Sequence, residues 1–178
     1  VVSEATKGSE FRVTLKLAKA EPSTQTESMA PIARREAPKP EEAEANGKLI
    51  LVADDSPINL KLIQHQLAWL GYACLVADNG LIALSMWKER NFALLLTDCH
   101  MPEMDGYRLT QEVRQQEQHL EKSRVPIVAF TASALTNDYE KCFAVGMDDF
   151  IVKPVELRHL KKILERWLPS NDKHTTSN

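Results

Sequence analysis

The sequence has no apolar run long enough to cross a membrane and no basic-then-apolar start of the kind that directs secretion. Nowhere does it read G-x-x-x-x-G-K-[ST], which excludes a P-loop nucleotide site. Its three cysteines, Cys74, Cys99 and Cys142, are odd in number and include no C-x-x-C pair, so they indicate neither a zinc ribbon nor a redox motif. Free thiols of this sort suit a reducing, cytoplasmic compartment. Positive charge is also short. The 22 Lys and Arg stand against 25 Asp and Glu, a net charge of -3, which argues against a chain built around nucleic acid. The first residue is Val1, and the chain reads as a piece of a longer polypeptide.

Composition divides the 178 residues into parts. In residues 1–20, Phe11, Val13, Leu15 and Leu17 alternate with polar neighbours at period two, the pattern of a half-buried strand. Residues 21–47 hold Pro22, Pro31, Pro38 and Pro40 among Ser, Thr, Glu and Ala, with little apolar recurrence. Such a stretch cannot offset its ordering entropy and reads as a flexible, disordered linker. Residues 48–169 are dense and globular, and a disordered tail is expected over 170–178.

Within the globular part the periodicity predicts strands at residues 49–53, 72–77, 92–97, 125–130 and 150–152. Helices are expected between them at 57–70, 81–90, 106–117 and 135–145, and a last one at 156–168. Ser56 followed by Pro57 starts the first helix, and Gly71 and Gly146 close two others. Five β-α units in a row imply an α/β fold, a doubly wound parallel sheet of strand order 2-1-3-4-5.

At the end of the third strand the run Leu94-Leu95-Leu96-Thr97 stops at Asp98, in the crevice where open α/β sheets bind ligands. Asp54 and Asp55 follow the first strand, Thr131 the fourth and Lys153 the fifth, so all converge on one edge. Three carboxylates in one crevice repel unless a cation joins them, and few hard oxygen ligands suit Mg2+. A lysine and a hydroxyl opposite complement a phosphoryl group. The chemistry expected is attack of the Asp98 carboxylate on phosphorus, giving an acyl phosphate. Singly, each residue has a plainer reading: Asp54 and Asp55 as loop acids, Thr131 in a turn, Lys153 as a solvated charge. On the first helix, Asn59, Ile63, Gln66, Leu67 and Leu70 are assigned to the core face, with Leu62 on its flank. Ile58, Leu60 and Trp69 fall outside it, as a candidate landing site for a partner helix.

Residues 48–168 resemble a response-regulator receiver domain, of flavodoxin-like fold. The resemblance is carried by the acid pair Asp54-Asp55, the loop from Thr97 through Asp98, Met101-Pro102 and Asp105-Gly106, the Phe130-Thr131-Ala132 step, and Gly146-Met147-Asp148-Asp149-Phe150-Ile151-Val152-Lys153-Pro154. It implies that Asp98 accepts a phosphoryl group from a phosphohistidine. It also implies that Mg2+ is bound by Asp55, Asp98 and the backbone carbonyl of His100, with Asp54 acting through water. Lys153, Thr131 and the backbone amides of Cys99 and Ala132 would hold the phosphoryl group. Phe150 stands at the family's switch aromatic, though a plain core phenylalanine is the competing reading, and the Lys153-Pro154 bond is expected to be cis.

Residues 7–17 resemble the last turn and strand of a histidine-kinase ATP-binding domain, so residues 1–20 read as its remnant, without the nucleotide-binding boxes. Together these features are similar to the receiver of a hybrid sensor histidine kinase of the virulence (BvgS/EvgS-like) type. The implied partners are the kinase phosphohistidine domain and a histidine phosphotransfer domain, with the parent anchored in the inner membrane. The alternatives are a stand-alone response regulator or a haloacid-dehalogenase-type phosphohydrolase. The latter needs a second Asp two residues after the first, where His100 stands.

Overall fold

The computed structural model describes residues 2–4, 8–10, 32–120, 122–131 and 136–168. The chain divides into two compact units, Val1–Pro31 and Ile32–Asn178. In the first, β1 (Val2–Glu4) and β2 (Gly8–Glu10) pair antiparallel, Val2 opposite Glu10. The strand expected at residues 11–17 and the tail at 170–178 lie outside the described residues.

The second unit opens with a short helix, α1 (Pro40–Ala45), inside the stretch expected to be a disordered linker. Pro40 at its first turn and Glu41 and Glu42 beside its amino end favour a helix start there. What composition conceals is tertiary. Ala43 is buried against Leu49 and Ala73, and Glu44 accepts the Asn91 amide at 2.9 Å. Farther upstream, Arg35 N–H donates to the Trp69 carbonyl at 2.9 Å, so the ordered unit begins near Ile32 rather than Lys48.

The sheet contains β3 (Ile50–Ala53), β4 (Cys74–Ala77), β5 (Leu94–Asp98), β6 (Ile127–Thr131) and β7 (Asp149–Val152). All pairings are parallel and the order is β4-β3-β5-β6-β7, the expected 2-1-3-4-5 arrangement. The helices between them are α2 (Pro57–Trp69), α3 (Gly80–Glu89), α4 (Gly106–His119), α5 (Thr136–Ala144) and α6 (Leu157–Trp167). Because side chains alternate across a strand, Ile50, Val52, Leu94, Leu96, Val128 and Phe130 share one face. That face packs on Leu60, Ile63 and Leu67 of α2 and Leu160, Ile163 and Leu164 of α6. Leu51, Leu95, Ile127 and Ala129 point the other way, against Trp87 of α3, Leu109 and Val113 of α4, and Cys142 of α5. The central strands are buried on both sides, as their unbroken apolar runs require.

One assignment on α2 is corrected. Leu60, placed outside the core stripe, is only 8% exposed. Seven residues at about 100° each put Leu60 within about 20° of Leu67, so it belongs to the buried row. Asn59, assigned to that row, turns instead toward the carboxyl edge of the sheet.

Candidate active site

The parallel register aligns the strand ends. Ala53 pairs with Thr97, Asp98 with Phe130, and Thr131 with Val152, so the residues that follow emerge on one edge. Asp54 is fully buried, Asp98 is 9% exposed, and Asp55 stands in solvent. One oxygen from each of the three lies within 4.8 Å of the others. Across from them, Lys153 Nζ donates to Asp54 Oδ2 at 2.8 Å and to Asp98 Oδ2 at 2.7 Å. Thr131 is buried at the end of β6, and its carbonyl accepts the Lys153 backbone amide at 2.7 Å. The Lys153-Pro154 peptide is cis, as expected.

Burial alone would lower the Lys153 pKa, but hydrogen bonds to Asp54 and Asp98 and the charges on both carboxylates reverse this and raise it above 10.5. The ammonium therefore stays charged through the neutral range. One such cation against three carboxylates leaves the cluster short of positive charge. A hard divalent cation answers that deficit, and the all-oxygen donor set fits Mg2+.

The loop after β5 is held close to the nucleophile. Thr97 Oγ1 donates to the Asp98 carbonyl at 3.0 Å, and Gly106 N–H donates to the Cys99 carbonyl at 3.2 Å. A side chain at Gly106 would strike the Asp98 carbonyl oxygen, so only glycine lets α4 start this near. His100 N–H donates to Asp98 Oδ1 at 3.4 Å, and its exposed ring meets Tyr107 edge-on at 5.9 Å.

Some expected site residues stand differently. The Cys99 amide donates to the Phe130 carbonyl at 3.2 Å, within the β5–β6 pairing, and the amide turned to Asp98 is that of His100. Amides alternate in direction along a strand, so a shift of one residue moves the donor from crevice to ladder. Ala132 lies outside the described residues. Phe150 is half-buried at the border of the second core layer.

Of the three docking candidates, Ile58 is 78% exposed, whereas Leu60 is buried. Trp69 is 43% exposed, but its Nε1 donates to the Ile32 carbonyl at 3.2 Å and the Arg34 guanidinium lies 5.6 Å from its ring centre. The chain's own upstream segment thus covers part of it. Leu62, placed on the flank of the core, is exposed beside Ile58. Sequence reasoning also missed the site's contact to Asn59; an amide one turn into a helix that follows a carboxylate was the available signal.

The profile described as "Response regulator receiver domain" matches residues 50–165. Among curated proteins, the sensor histidine kinase RcsC of Salmonella typhi is 44% identical over 116 residues, covering 65% of this chain and 12% of its own. The virulence sensor protein BvgS of Bordetella pertussis is 36% identical over 154 residues, 85% of this chain and again 12% of its own. The chain therefore spans about an eighth of the length of these relatives. Among solved structures, the receiver domain of a Pseudomonas aeruginosa sensor histidine kinase, with magnesium in its active-site cleft, is 39% identical. It aligns with a TM-score of 0.63 over 70% of this chain and 99% of its own. A Saccharomyces cerevisiae receiver domain in complex with a histidine phosphotransfer protein is 29% identical with a TM-score of 0.63, over 67% of this chain and 87% of its own. Five parallel strands in this order, an acid cluster at their carboxyl edge and a match over most of the ordered unit lead to one assignment: the chain belongs to the response regulator receiver domain family.

Proposed function

We propose that Asp98 is the phosphoacceptor of a phosphorelay, and that this receiver belongs to a hybrid sensor histidine kinase. The observation that carries the reading is the meeting of Asp54, Asp55 and Asp98 within 4.8 Å, with Lys153 bridging two of them. A carboxylate oxygen of Asp98 attacks phosphorus, the bond from phosphorus to a histidine nitrogen breaks, and that nitrogen keeps the electron pair. Lys153 offers its charge to the phosphoryl oxygens and Thr131 its hydroxyl, while the His100 amide stands at the Asp98 side of the crevice. Asp55, Asp98 and the His100 carbonyl, with Asp54 acting through water, would hold Mg2+, which would supply the remaining neutralisation of negative charge. Transfer onward to a histidine phosphotransfer domain is the same exchange run toward a new nitrogen.

The hybrid-kinase assignment is supported by the match to BvgS, which at 154 residues reaches beyond the receiver into the upstream segment. In this reading residues 1–20 end a kinase ATP-binding domain, and the receiver of 48–169 carries residues 32–47 packed against it. Partner docking falls to Ile58 and Leu62 at the amino-terminal half of α2, next to the site.

Incubation of the chain with acetyl phosphate and Mg2+, followed by intact mass, tests the reading. One phosphoryl group is gained, stable to acid and labile to base, and Asp98→Asn gains none. Undiminished uptake in Asp98→Asn, or continuous phosphate release in place of a single addition, overturns it.

A further inference from the structure

Asn59 occupies the third position of α2, and its side chain leaves the apolar row to reach back over the helix start. Its Nδ2 lies 3.0 Å from Asp54 Oδ1 and 3.2 Å from Asp54 Oδ2. The Asp54 side chain is 1% exposed, and a carboxylate so deeply buried needs donors on both oxygens. Among the described residues it has three donor groups: the Ser56 backbone amide at 2.9 Å, Lys153 Nζ at 2.8 Å, and Asn59.

These donors are not equivalent. Lys153 is shared with Asp98 and is the cation that an incoming phosphoryl group draws away. Once it turns, Ser56 and Asn59 are the donors left to Asp54 among the described residues, and Ser56 reaches only Oδ1. Among the described residues Asn59 is thus the one donor besides Lys153 on Oδ2. It is also uncharged, so it fixes the carboxylate without offsetting the negative charge that attracts a cation. Asn59 is itself anchored, for its own N–H donates to the capping Ser56 Oγ at 3.4 Å and its neighbours Leu60 and Ile63 are buried.

We propose that Asn59 is a positioning residue of the magnesium site, whose amide holds the Asp54 carboxylate turned toward Asp55 and Asp98. This rests on the magnesium-dependent reading above. It is tested by calorimetric titration of the full chain with MgCl2, below the melting temperature of every variant. Asn59→Leu, close in size but without donors, and Asn59→Ala each weaken Mg2+ binding at least threefold, with about tenfold the typical loss for a residue that orients a metal ligand. Leu67→Val, a buried change two turns along the same helix that does not touch Asp54, lowers the melting temperature and keeps wild-type affinity. Less than a threefold change in both Asn59 variants overturns the proposal alone, as does an equal loss in Leu67→Val. A wild-type chain that takes up no Mg2+ overturns the functional reading and this proposal with it.

Discussion

Cys99 adjoins the nucleophile in sequence, yet its side chain is buried away from solvent. Its thiol is 1% exposed, and its sulfur lies 3.8 Å from that of Cys142, itself buried. Burial first, and the neighbouring Cys142 next, push its pKa from 9.0 to about 12. Burial likewise lifts Cys74 to about 11, and Lys153 is raised above 10.5. Each of these groups binds its proton more tightly folded than unfolded, so each contributes stability that is full below its unfolded pKa and lost as pH rises through the folded one. The urea midpoint is therefore expected to hold from pH 7 to about 9 and then fall as pH approaches 12. Cys99→Ala removes part of that fall, and an identical pH slope in the variant refutes the assignment. At pH 8 the folded thiols react with Ellman's reagent far more slowly than the same thiols in guanidinium chloride.

Helix α2 separates what a pattern can reveal from what it cannot. Its start was legible because Ser56 and Pro57 state the cap chemistry outright, and Ser56 Oγ does accept the Asn59 amide. Its buried face is legible at Ile63, Leu67 and Leu70, while Leu60 belongs to it unannounced and Asn59 and Gln66 stand only half-buried at its border. Polar side chains on the inner half of a helix look like register errors when they serve a site or a neighbouring carbonyl, as Gln66 does toward Val155 at 2.9 Å. Leu60→Ala is expected to cost about 3 kcal/mol in urea unfolding, whereas Ile58→Ala changes stability by less than about 0.5 kcal/mol. Equal effects would return Leu60 to the surface. A second element-level device joins α4 to the start of β6 and the turn before β7. Arg114 donates to Glu117, to Asp148 at 2.7 Å, and to the carbonyls of Val125 and Gly146. Glu117 in turn accepts the Val125 amide, and Asp148 accepts that of Ile127. Arg114→Ala leaves the buried Glu117 without its guanidinium and Asp148 with Arg124 as its remaining ion-pair partner among the described residues, and a loss of about 3 kcal/mol is expected from the urea midpoint. Arg114→Lys recovers little of it, since an ammonium cannot serve four acceptors in a plane.

At the scale of the whole molecule, the sheet was legible because its strands are short, apolar and punctuated, and a parallel order then follows from the crossovers. The site residues were legible for the same reason: Asp54, Asp98, Thr131 and Lys153 interrupt apolar runs at equivalent strand ends. The segment before the sheet was not, since its order comes from contacts made far along the chain. Arg35 meets Trp69, Ala43 meets Ala73, and Glu44 meets Arg90 and Asn91, while the local composition favours no structure. Gly71 takes part in this packing, with a backbone φ of 85° and the Arg35 side chain lying where a Cβ would project. Two shortened chains separate these contributions. One beginning at Ile32 keeps every contact just named and should melt as residues 32–178 do within the full chain. One beginning at Lys48 uncovers Leu49 and Ala73 and leaves the Trp69 carbonyl and the Asn91 amide without their partners. Lost apolar burial and lost hydrogen bonds together are worth about 2 kcal/mol, or roughly 5 °C in melting temperature for a domain of this size. If the two shortened chains melt within about one degree of each other, residues 32–47 contribute nothing to the receiver, and the boundary returns to Lys48 as composition alone suggests.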